Sequence, residues 1–207
     1  MSCLSISMRC SRLSMYRLVV LALVASLTSC SESKRTKALY PVDSLLNAQA
    51  KYLSGKKATV KKVVILGGKE EEISVTPKDS IAWRNELEIF TTLDVINKPV
   101  NRAYYSVEEV SDNRSNLIVK SFATKEEDLP VKYFKIYYQY KPSRLRKLEA
   151  YFNELSSLYK SSRELTMDFQ QFGDTVVLTS YSIVGGQKMM LDDSVQYRIS
   201  GSLKVLN

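Results

Sequence analysis

Histidine is absent from this sequence, and no cysteine follows position 30. Without histidine the chain lacks the commonest metal ligand and the usual general base near neutral pH. Ser156-Ser157 and Ser161-Ser162 therefore have no imidazole to activate them. Also missing is an unbroken apolar run of the roughly 20 residues that a helix needs to cross a bilayer. There is no continuous basic stripe of the kind that tracks a phosphate backbone. The densest clusters, Lys56-Lys57 with Lys61-Lys62 and Lys141 with Arg144, Arg146 and Lys147, are mixed with apolar residues. No nucleic acid partner is expected. The glycine pairs lack the spacing that cradles phosphate, and neither Asp112-Asn113 nor Asp192-Asp193 opens a spaced calcium loop. No metal and no cofactor is expected. Adjacent carboxylates at Glu108-Glu109, Glu126-Glu127-Asp128 and Asp192-Asp193 point to opposite faces of a strand. Glycoside hydrolysis needs two such groups facing each other, about 5 to 9 Å apart. The expectation is a chain that is not an enzyme.

The longest apolar stretch follows Arg17 and runs from Leu18 to Ala25, and it ends on Leu27-Thr28-Ser29-Cys30. Positive charge, short apolar core and small residues are the order of a secretory signal. The last four residues read as a lipobox: small side chains at Thr28 and Ser29 admit a peptidase, and the Cys30 thiol accepts the lipid. Residues 1–29 are read as a lipoprotein signal peptide cut between Ser29 and Cys30, residues 30–37 as a polar tether, and residues 38–207 as one domain. The length before Arg17 leaves Met8 and Met15 as alternative starts. With Arg9, Arg12 and Arg17 gone and no acid lost with them, the formal charge of +8 falls to +5. Cys3 and Cys10 leave too, so the mature body has no thiol for a disulfide or a nucleophile, and its core alone must hold the fold. Acyl chains contribute about 0.8 kcal/mol per buried methylene, so a multiply acylated Cys30 anchors the chain unaided.

Along the domain, Leu45, Leu46, Ala50 and Leu53 recur at helical spacing after Pro41 and Asp43. Residues 58–66 and 69–76 form a hairpin about Gly67-Gly68. A second amphipathic helix is predicted over Ile81–Val95, with Trp83 read first as a packing anchor and second as a ligand contact. Strands follow over 102–110, 117–123 and 131–140. The stretch 145–159 has heptad-spaced apolar residues, yet the flanking hairpins favour a strand over 147–152. Residues 165–169, 175–184, 188–191 and 195–205 complete a meander, with Gly185-Gly186 taken as a turn. The predicted class is α+β: two N-terminal helices with a curled antiparallel sheet, a half-barrel being one form of it.

Val131–Tyr140 is the most aromatic strand. Tyr133, Tyr137 and Tyr138 are its candidate ligand contacts, weighed against the ordinary liking of tyrosine for strands. The order of elements, with Asp94-Val95-Ile96-Asn97-Lys98-Pro99, Leu158-Tyr159-Lys160-Ser161 and Tyr181-Ser182-Ile183-Val184-Gly185-Gly186-Gln187-Lys188, resembles small lipobox-bearing lipoproteins of the Bacteroidota. That resemblance implies a cell-envelope lipoprotein. In that phylum an acidic run after the cysteine accompanies surface display. Glu32 alone precedes Lys34 and Arg35 here, which favours the outer membrane facing the periplasm. The expected function is a non-catalytic, membrane-anchored protein binding an envelope protein or an apolar ligand. Lipid or lipoprotein carriage in a half-barrel is the alternative, and an envelope hydrolase the third.

Overall fold

A computed structural model describes residues 38–112, 115–189 and 193–205. Cys30, the cleavage site and the tether lie outside them. The compact unit that begins at Ala38 consists of helix α1 (Val42–Gly55), strands β1 (Thr59–Leu66) and β2 (Lys69–Val75), helix α2 (Ser80–Glu86), a 3₁₀ helix (Glu88–Asn97) and helix α3 (Pro99–Arg102). Seven more strands follow: β3 (Ser106–Asp112), β4 (Leu117–Ala123), β5 (Val131–Tyr138), β6 (Leu145–Leu155), β7 (Tyr159–Phe172), β8 (Thr175–Met189) and β9 (Val195–Lys204).

This corrects the expected α+β class. All nine strands form one antiparallel sheet in the order β2-β1-β9-β8-β7-β6-β5-β4-β3, and among the described residues helix is confined to four short segments, of which α1 alone precedes the sheet. The order leaves β2 and β3 as free edges. Both are fully or nearly fully exposed and carry acids, Glu70-Glu71-Glu72 and Glu108-Glu109, which guard the open ladders against further pairing. The single helix expected over 81–95 breaks in two for a reason visible in its spacing. Leu87, Phe90, Leu93 and Ile96 are all fully buried and stand three residues apart. That repeat matches the three-residue turn of a 3₁₀ helix rather than the 3.6 of an α-helix.

At Gly67-Gly68 the hairpin forms as expected, with φ of 56° and 82° at its two central residues, the left-handed geometry that a two-residue turn needs. Gly185-Gly186 is not a turn, however, but lies inside β8. A Cβ on Gly185 would come within 2.8 Å of the Tyr197 hydroxyl, and one on Gly186 within 2.8 Å of Gln196 Nε2. These glycines are slots over which β9 side chains lie. The stretch 145–159 is strand up to Leu155, because Leu148, Ala150 and Phe152 alternate into the core.

The helices cover one face of the sheet. Val42, Leu46, Ala50 and Leu53 of α1, with Trp83 and the 3₁₀ row, pack onto Phe122, Phe134, Leu148, Leu165, Met167 and Tyr181. Arg84 pairs with Asp43 to join α2 to α1, and Asp79 caps α2 by accepting from the Ala82 amide at 2.7 Å. Buried Gln49 acts as a pseudo-strand residue, its side chain donating to the Val176 carbonyl at 2.9 Å and accepting from the Leu178 amide at 2.8 Å. Asn97 pins the start of the unit, accepting from the Leu39 amide at 2.8 Å and donating to the Tyr40 carbonyl at 2.7 Å. Among the described residues the buried apolar side chains form one cluster, with Leu39, Tyr40 and Val205 packed against it.

Candidate functional site

Antiparallel register partners share a face of the sheet. The pairings Tyr133↔Tyr151, Lys135↔Glu149 and Tyr137↔Lys147 therefore build one patch across β5 and β6. It continues through Tyr151↔Glu164 and Glu149↔Thr166 onto β7, and through Thr166↔Ser182 onto β8. This face is opposite the helices. Its residues alternate with the core residues Phe134, Ile136, Leu148 and Ala150, so period two dictates which side each one takes.

Three tyrosines stand half-buried there. The rings of Tyr133 and Tyr151 stack at a centroid distance of 6.0 Å and 25°. Lys135 Nζ sits 5.0 Å from the Tyr133 ring centre, and Lys147 Nζ 5.8 Å from that of Tyr137. Glu149 ties the group together, accepting from the Tyr137 hydroxyl at 2.5 Å and pairing with Lys147 at 2.5 Å. Burial alone would raise the Glu149 carboxyl. The Lys147 ammonium and the Tyr137 hydroxyl outweigh it and hold the group below the ordinary carboxylate range. Burial first, then Glu149, pushes the Tyr137 hydroxyl above the usual phenol range, and burial with Glu164 and Glu149 does the same to Tyr133. Both phenols stay protonated, so the patch presents donors, ring faces and fixed charges rather than a base.

The sequence candidates divide. Tyr133 and Tyr137 come together on this face. Tyr138 does not: it is 2% exposed on the helix-covered side, where alternation places it with Phe134 and Ile136. Trp83 is fully buried under α1 and the 3₁₀ row and contacts no open surface. Tyr151, Lys135, Lys147 and Glu149 were not singled out from the sequence, though the alternations Tyr133-Lys135-Tyr137 and Lys147-Glu149-Tyr151 contain the signal.

No family model, curated protein or solved structure matches this chain significantly.

On the helix side a groove of about 450 Å³ opens between the 3₁₀ helix and the sheet, lined among others by Asn85, Thr91 and Thr92. At its base the Glu86 carboxylate accepts from Lys62 Nζ at 2.8 Å and from the Tyr181 hydroxyl. Burial and Glu86 together drive the Tyr181 hydroxyl far above the usual phenol range. Both oxygens of Glu86 are occupied, which makes the trio a structural clasp between α2, β1 and β8. Glu86 lies one turn beyond Trp83 on the same helix face, a position from which sequence reading could have placed it inward. Among the described residues no group of three or more acids, histidines or cysteines is placed to hold a metal, and no helix is long and apolar enough to cross a membrane.

Proposed function

We propose that this chain is a lipid-anchored protein of the bacterial cell envelope, held through Cys30 on the periplasmic side of the outer membrane. Its folded unit is a non-catalytic module that docks an envelope protein on the bare face of the sheet. The observation that carries the docking reading is the asymmetry of the two faces: one is filled by helices, and the other displays Tyr133, Tyr137 and Tyr151 among locked charges of both signs. Tyrosine combines large contact area with few rotatable bonds and is enriched where proteins meet. Paired charges of both signs suit a partner with a mixed polar surface better than an apolar ligand. Carriage of acyl chains finds less support, since the apolar side of the sheet is packed with Leu87, Phe90 and Leu93.

A photoreactive side chain at position 137 or 151 is expected to capture the same partner protein in intact cells. The same group at Lys51, on the exposed side of α1, is expected to capture none of it. Tyr137→Ala should weaken the complex by about 2 kcal/mol or more, the range of an interface anchor. Equal capture at Lys51, or none at 137 and 151, would contradict the docking face.

A further inference from the structure

Past the tyrosine patch, β6, β7 and β8 continue to a tip formed by the turn 156–158, the start of β7 and the end of β8. Large apolar side chains are bare there: Leu158 is 67% exposed, Leu155 58% and Met189 50%. The register sets Leu155 opposite Lys160, Lys160 opposite Lys188 and Tyr159 opposite Met189. A shallow cleft of about 270 Å³ runs between Ser156, Leu158, Lys160, Lys188 and Met189. Opposed like charges on neighbouring strands are unfavourable unless something anionic lies over them. Among the described residues neither lysine forms an ion pair. The nearest acid along β6, Glu154, is engaged by the Tyr159 hydroxyl instead. Asp193, just before β9, has its own interaction.

We infer that this tip is a membrane-docking element, which sets Leu155, Leu158 and Met189 into the interface of an anionic bilayer while Lys160 and Lys188 meet the headgroups. Apolar side chains bordered by lysines are the chemistry of interfacial association, and a lysine close to an anionic leaflet contributes about 1 kcal/mol. Reach is consistent with this, an argument that rests on the proposed anchoring at Cys30. Seven residues lie between Cys30 and Ala38, so eight Cα-to-Cα steps span at most about 28 Å. The Tyr40 ring packs on Phe134 at 5.5 Å. Ala150, the register partner of Phe134, lies five residues from Leu155, about 17 Å along β6. A tether that short keeps the tip at high effective concentration near the bilayer, so weak docking suffices.

The test uses the chain from position 30 with Cys30→Ser, which carries no acyl group, so its outcome does not depend on whether Cys30 is lipidated in cells. Leu158→Trp provides the probe, Trp83 being buried and constant. Phosphatidylcholine vesicles containing phosphatidylglycerol are expected to shift the emission of the new indole to the blue, and vesicles of phosphatidylcholine alone to leave it in place. Lys160→Gln with Lys188→Gln should weaken the anionic binding on the order of 25-fold, about five-fold for each lysine. An emission maximum that anionic vesicles do not move, or that neutral vesicles move equally, would overturn the inference. The same holds if the double lysine variant binds as tightly as its parent.

Discussion

Replacing Trp83 by alanine is expected to destabilise the folded unit by about 3–5 kcal/mol, the largest single-residue effect in the chain. The indole is fully buried at the first turn of α2, among the residues through which α1, α2 and the 3₁₀ helix close over the sheet. Truncation leaves a cavity that three separate segments would have to collapse into, and Arg84, the next residue, holds α2 to Asp43 and limits that collapse. Trp83→Phe should cost much less. It keeps most of the apolar contact and removes an indole N–H that has no hydrogen-bond partner. Urea unfolding followed by circular dichroism separates the two variants. If Trp83→Ala and Trp83→Phe prove equally mild, the helices are not packed on the sheet as described.

The second large effect is expected at a glycine. A Cβ on Gly201 would fall inside the ring of Tyr181, which lies across β9 and delivers its hydroxyl to Glu86. Alanine has the better intrinsic preference for a strand, by roughly 0.5–1 kcal/mol over glycine. The steric term is larger, since a forced shift in a packed site costs about 1–3 kcal/mol. Tyr181 cannot swing aside without losing Glu86 and its edge contact with Phe90 at 6.0 Å. Gly201→Ala is therefore expected to lower stability, and to do so less in a Tyr181→Ala background, where the obstacle is gone. Additive effects in that double-mutant cycle would show that the ring does not occupy the slot.

Gly201, Gly185 and Gly186 also show what the sequence conceals. A glycine pair with an apolar run before it and a polar residue after it reads the same whether it turns the chain or makes room for a neighbour, and Leu66-Gly67-Gly68-Lys69 and Val184-Gly185-Gly186-Gln187 take opposite roles. The difference lies in Gln196 and Tyr197, distant partners that no local pattern identifies. Most strands were legible because apolar alternation is local, as Phe134-Ile136 and Leu148-Ala150-Phe152 show. The second helix divides where a neighbouring pair of apolar residues three apart fits either period, while the full row Leu87, Phe90, Leu93 and Ile96 fits only the three-residue one. Their three-residue spacing becomes decisive only when all four prove to be buried. The candidate site was half legible. Tyr133 and Tyr137 share a side by simple alternation and Tyr138 does not. The stacking of Tyr151 on Tyr133 and the seat of Glu149 follow from the β5–β6 register, which the turn at 139–144 sets.

A bare tyrosine face and an apolar, lysine-edged tip make sense together on a protein tethered close to a bilayer, which makes the proposed lipidation of Cys30 the central claim. The direct measurement is the mass of the mature N-terminal peptide released from purified membranes. The account predicts a chain beginning at Cys30 whose mass exceeds that of the bare peptide by a diacylglyceryl group, with or without a further acyl chain. A mature chain with an unmodified Cys30, or one that begins at any other residue, would contradict it.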